Sequence, residues 1–165
     1  MSFTNVYNGK KFFTCVAFKF FKQETDYTCG AAAMRMALYK FGIEKTERQL
    51  GRMLQTKKKA GTLHSAFAKI AEKYKLDYIV ERKTTIGHLK KHKSEGYLII
   101  LCFYCPHSKE DHYAVLKKID HSNITMYDPW WGPNRKISRS YFRRVWTNRY
   151  PKLREKRWFF AVKKP

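Results

Sequence analysis

The apolar residues of this chain change their period once, and that change commits it to an α+β layout. Gly30 to Tyr39 is an alanine- and methionine-rich run that predicts a helix stopped near Gly42. Thr46-Glu47-Arg48-Gln49 has the spacing of a capping box, opening a short helix to about Leu54. After the charged loop Lys57-Lys58-Lys59-Ala60-Gly61, Thr62 begins a third helix with Leu63, Phe67, Ile70, Ala71 and Tyr74 at helical spacing.

The second half reads differently. Tyr78-Ile79-Val80 predicts a strand, Thr85 to Lys93 a small basic helix, and Tyr97 to Tyr104 a buried central strand. His112 to Ile119 and Ile124 to Asp128 predict two strands joined by the turn residues Asp120-His121-Ser122-Asn123. An antiparallel hairpin turning there brings His112 and Asp128 to the same edge. Trp130-Trp131-Gly132-Pro133 reads as the end of the sheet run, Ser138 to Trp146 as an arginine-rich helix and Arg157 to Val162 as a closing strand. Residues 11–21, aromatic and β-branched, predict an extended lead-in, with Cys15 in the core. No repeat or linker divides the chain, so residues 1–165 are expected to form a single domain.

Composition narrows the classes. Hydrophobic content of 44% with 16% aromatics excludes a disordered chain. No apolar run approaches the roughly 18 residues that cross a bilayer, and the N-terminus does not read as a signal peptide. Four cysteines without a secretion signal are expected to be reduced thiols, so the expected compartment is the cytoplasm. The charge is extreme, 35 Lys and Arg against 13 Asp and Glu, or +22. From Pro133 to Pro165 there are 12 basic residues and one acidic residue, Glu155. Such a surface attracts polyanions, whether nucleic acid, anionic lipid or acidic polypeptide, or else is a solvated face.

The chemistry is concentrated in Gln23-Glu24-Thr25-Asp26-Tyr27-Thr28-Cys29-Gly30. A cysteine at a helix N-terminus meets unpaired N–H groups and the positive end of the helix dipole, which favour thiolate over thiol. The backbone N–H of Cys29 and the side-chain amide of Gln23 are candidates to converge on an oxyanion. Downstream, His112 is the candidate base and Asp128 its candidate orienting partner, although Asp128 also suits a turn cap before Pro129. Asp111 is a rival partner, but adjacent strand residues face opposite ways.

Gln23, Tyr27-Thr28-Cys29-Gly30, His112-Tyr113-Ala114-Val115 and Asp128-Pro129 together resemble the bacteriocin-processing (C39) peptidase family of papain-like cysteine peptidases. The resemblance implies a helical lobe packed on an antiparallel sheet, with a Cys29, His112, Asp128 triad and a Gln23 oxyanion hole in the cleft. It implies a peptide or protein substrate, in family members commonly a leader peptide ending in two small residues, and no cofactor. Members that act in export are fused to a transporter, which this chain lacks, so a stand-alone peptidase is expected.

Other features have competing readings. Cys102-Phe103-Tyr104-Cys105 with His107 and His112 invites a zinc site or a redox pair, but residues three apart on a strand face opposite ways and no second Cys-x-x-Cys exists; no metal is expected. His64 reads as a cap or surface residue. Trp130 and Trp131 stand either in the core or against substrate. The alternative function is a basic module binding nucleic acid or an acidic partner on the same scaffold, with catalysis vestigial; no zinc-finger or helix-turn-helix motif supports it.

Overall fold

The computed structural model describes residues 17–147 and 155–165, with the backbone of residues 5–7 and 10–12. Cys15 and residues 13–16 of the lead-in lie outside the described residues. Strands β1 (Asn5–Tyr7) and β2 (Lys10–Phe12) pair antiparallel. Three helices follow: α1 (Cys29–Lys40), α2 (Glu47–Met53) and α3 (Ser65–Lys73). The capping box at α2 is present in full, with Gln49 N donating to Thr46 Oγ1 at 3.1 Å and Thr46 N to Gln49 Oε1 at 2.9 Å.

The remaining elements are β3 (Asp77–Glu81), α4 (Ile86–Ser94), β4 (Leu98–Cys105), β5 (Glu110–Ile119), β6 (Asn123–Asp128), β7 (Gly132–Ser138), α5 (Arg139–Val145) and β8 (Phe159–Lys163). They build one six-stranded antiparallel sheet in the order β3-β8-β4-β5-β6-β7. Helices cover both faces. Ile100, Cys102, Val115 and Phe160 pack with α1, α2 and α3, whereas Ile99, Leu101, Leu116 and Phe159 pack with residues of α4 and α5. A strand buried on both faces has no polar side to alternate with, hence the continuous Leu98-Ile99-Ile100-Leu101 run. Among the described residues no helix is long and apolar enough to cross a membrane.

The sheet extends past the point where its sequence signal fades. Gly132–Ser138 is a strand, paired with β6, where Trp130 to Pro133 read as the end of the sheet. The reason is its place at the edge: its side chains are half-buried or exposed, so Pro133, Asn134, Arg135 and Lys136 show no apolar alternation.

α1 explains how a small residue holds a fixed place. Its residues from Cys29 to Met34, together with Met36, Ala37 and Leu38, are all buried, and a buried methionine or leucine contributes about 1.5–3 kcal/mol over exposure. The helix tip cannot shift without pulling those side chains from the core.

Candidate active site

The loop leading into α1 is tied down from three directions. Gln23 N donates to Pro129 O at 3.0 Å, Glu24 N to Glu47 Oε1 at 2.8 Å and Thr25 N to Thr28 Oγ1 at 3.2 Å. Cys29 is the first residue of α1, so its N–H belongs to the turn that lacks intrahelical acceptors. Gly30 is there because of a close approach: a Cβ at that position would stand 2.6 Å from Thr62 Oγ1 and 2.8 Å from Thr62 Cβ, both on a buried side chain. Thr62 is itself held, its hydroxyl 2.7 Å from Thr56 Oγ1 and its carbonyl accepting from Tyr113 at 2.7 Å.

The β5–β6 hairpin turns at Asp120, whose Oδ1 accepts from the N–H groups of Ser122 and Asn123 at 3.0 and 2.7 Å. At its open end His112 Nε2 lies 2.8 Å from Asp128 Oδ1. Cys29 is the other side chain that acts on the ring. Asp111 lines the cleft, and its charge reaches His64 and Tyr113.

Asp128 is fully buried and saturated. Its Oδ1 also accepts from Trp130 N at 2.9 Å and Trp131 N at 3.0 Å, so the turn-cap and histidine-partner readings are both realised by one oxygen. Oδ2 accepts from Arg135 Nη1 at 2.6 Å, and the guanidinium lies 5.4 Å from the ring centres of both Phe103 and Trp131. Burial opposes ionisation of Asp128, but His112, Arg135 and the Trp131 N–H outweigh it and hold the carboxyl at about 2. Burial likewise opposes the charged His112 ring; the Asp128 and Cys29 contacts prevail and push it up to about 10.

Gln23 lines the same cleft, a cavity of about 520 Å³ shared with Cys29, His112, Trp130 and Trp131. One of its two amide hydrogens is engaged by Thr25 O at 2.5 Å. Trp130 and Trp131 are each 48% exposed, so neither belongs to the core; they wall the cleft, Trp131 flanked by His107 at 5.6 Å. A helix-tip thiol and an imidazole in one cleft, with a carboxylate on the ring's Nε2, form an arrangement able to carry a proton off sulfur.

Other candidates separate from this cluster. Cys102 is buried against the α1 side of the sheet, while Cys105 opens on the cleft. Burial raises the Cys105 thiol, but the backbone and hydroxyl of Ser108, the His107 N–H and the charge of Arg135 bring it below its ordinary value. Among the described residues no three His, Cys, Asp or Glu side chains gather in a metal-holding group. His64 occupies the N-cap position of α3, as one of its two readings has it, but it is not a surface residue. It makes no cap hydrogen bond, is 2% exposed, stacks on Trp158 at 3.8 Å and bonds Glu155 at 2.5 Å, which also accepts from Arg82. Burial pulls its pKa down against the pull of Glu155.

A helical lobe on an antiparallel sheet, with a cysteine at a helix tip beside a strand histidine, is the build of a papain-like cysteine peptidase. The sequence goes further: the Peptidase C39 family pattern matches residues 17–151, and the chain belongs to that family. The fold is similar to the peptidase domain of Streptococcus ComA, a bi-functional ABC transporter involved in quorum sensing (TM-score 0.72, 15% identity, 90% of this chain and 100% of that one). It is equally similar to a protein described as a C39-like peptidase from Bacillus anthracis (TM-score 0.72, 15% identity, 90% and 95% covered). A third is a double glycine motif protease from an AMS/PCAT transporter, solved in complex with the leader peptide (TM-score 0.68, 20% identity, 91% and 94% covered). No curated protein sequence matches the chain at a significant level.

Proposed function

We propose that this chain hydrolyses a peptide bond through Cys29, His112 and Asp128, with Gln23 and the Cys29 N–H holding the oxyanion. The observation that carries the reading is the 2.8 Å His112–Asp128 contact, in the same cleft as the thiol of a helix-tip cysteine that acts on the ring. The Cys29 proton passes to His112 Nδ1, and the thiolate forms a C–S bond with the scissile carbonyl carbon. The carbonyl π-electrons move to oxygen, where each donor contributes roughly 3–4 kcal/mol of barrier lowering. Collapse breaks the C–N bond, and His112 delivers its proton to the departing amine. Water then attacks the thioester carbon as His112 takes its proton, the C–S bond breaks, the acid leaves, and the sulfur of Cys29 and the proton on His112 are restored as the starting pair. With the imidazole raised to about 10, the proton taken from Cys29 stays on His112 through the neutral range until it is given to the departing amine.

The relatives and the cleft support one substrate class. A protein of the same fold is a double glycine motif protease solved with a leader peptide, and here the cleft is walled by two half-exposed tryptophans. We therefore assign this chain a peptide substrate with small residues before the scissile bond. Digestion of a mixed synthetic peptide library, read by mass spectrometry, should show cuts following pairs of small residues, and none with Cys29→Ala. Cuts that persist in that variant, or no cuts at all, would contradict the assignment.

A further inference from the structure

We infer that a second cavity, separated from the catalytic cleft by Tyr27, binds an acidic segment of the substrate; this rests on the peptidase reading above. The cavity, about 560 Å³, lies between the loop before Cys29 and the flank of α2. Tyr27 lines both spaces, and so do successive parts of the same loop: Lys57 borders this cavity and Lys58 the catalytic cleft. The two cavities therefore share a wall at Tyr27 and lie on successive parts of one loop.

The charges of the cavity wall are unequal in their engagement. Its carboxylates are partly engaged: Glu24 pairs with Arg35 at 3.4 Å, and buried Glu47 accepts the Glu24 N–H through Oε1 at 2.8 Å, while Glu47 Oε2 has no hydrogen-bond partner among the described residues and burial pushes the Glu47 carboxyl up. Its cations are not. Arg48, Arg52 and Lys57 are exposed, and their side chains make no hydrogen bond or ion pair among the described residues. Three unengaged cations over one concave surface attract carboxylates, and the attraction is local, because solvent-exposed charges are screened beyond about 8–10 Å at ordinary salt. The excess charge of the chain thus has a place where it acts on the substrate, beside the scissile site and within reach of the same peptide.

Binding is measured by fluorescence anisotropy of a fluorescein-labelled glutamate-serine dodecapeptide on the full chain carrying Cys29→Ala. Exchange of Arg48, Arg52 and Lys57 together for glutamine is expected to weaken binding about tenfold or more. Exchange of Lys69, Lys73 and Lys90 for glutamine removes the same charge from exposed positions that line neither cavity, and is expected to cost less than about twofold. Arg52→Gln alone, with an expected loss of about two- to threefold, repeats the test should the triple variant lose its cooperative melting. Equal losses in both triple variants would overturn the site in favour of general attraction to a +22 chain. Tighter binding of oligothymidylate of equal charge, with the same dependence on Arg48, Arg52 and Lys57, would overturn it in favour of nucleic acid. Neither outcome bears on the chemistry, since the assay contains no Cys29 thiol.

Discussion

Peptide hydrolysis is expected to fall by about ten-thousandfold or more on replacing Cys29 by alanine, by a similar factor on replacing His112 by alanine, and by no further factor when both are replaced. The two side chains act on one proton, so once either is gone the other has no step left to accelerate. Cys29→Ala should leave the fold intact, because alanine is a good helix former and the site is the first residue of α1. Measured kcat/KM for the two single variants and the double variant decides the matter. Losses that multiply would mean that Cys29 and His112 act independently, and the thiol–imidazole pair would have to be abandoned.

The second large effect is expected at Asp128, where catalysis and stability fail together. Asparagine at this position presents an NH2 group either to Arg135 or to the N–H groups of His112, Trp130 and Trp131, so one set of donors loses its acceptor. Activity should drop by about a thousandfold or more, as the imidazole loses the partner that sets its tautomer. Folding stability should drop by about 3–5 kcal/mol, since buried Asp128 is the charge that compensates Arg135.

The pH dependence distinguishes this from simple cavity effects. The folded carboxyl titrates at about 2, against 3.8 for a free one, so its stabilisation is fully present above pH 4 and is lost as pH falls from 4 towards 2. That window is worth about 2 kcal/mol. The wild-type chain should therefore lose stability through it more steeply than Asp128→Asn in chemical denaturation. Parallel curves would mean that His112, Arg135 and the turn N–H groups do not hold the Asp128 carboxylate ionised.

The parts of this site legible in the sequence are those fixed by short-range rules. The helix opened by Cys29, the capping box at Thr46 and the hairpin around Asp120 each depend on a few neighbouring residues, and the hairpin alone places His112 beside Asp128. What was not legible depends on distant partners. Arg135 sits on an edge strand without apolar alternation, and nothing local marks it as the second ligand of Asp128. Glu47 looks like an ordinary first-turn acid, yet it pins Glu24, 23 residues away. His64 reads as a surface residue because its partners, Glu155 and Trp158, lie near the other end of the chain. The insertion of β8 between β3 and β4 is of the same kind, a long-range pairing with no local signature.

The most direct test of the central claim is the rate at which iodoacetamide alkylates each cysteine at neutral pH, resolved by peptide mass spectrometry in the wild-type chain and in His112→Ala. Cys105 also opens on the cleft, so access alone does not single out Cys29; dependence on the histidine does. Cys29 should react at least about tenfold faster than buried Cys102 and lose that advantage in His112→Ala, while Cys105 keeps its rate. Equal rates at Cys29 and Cys102, or a Cys29 rate indifferent to the loss of His112, would contradict a thiolate nucleophile held by that imidazole.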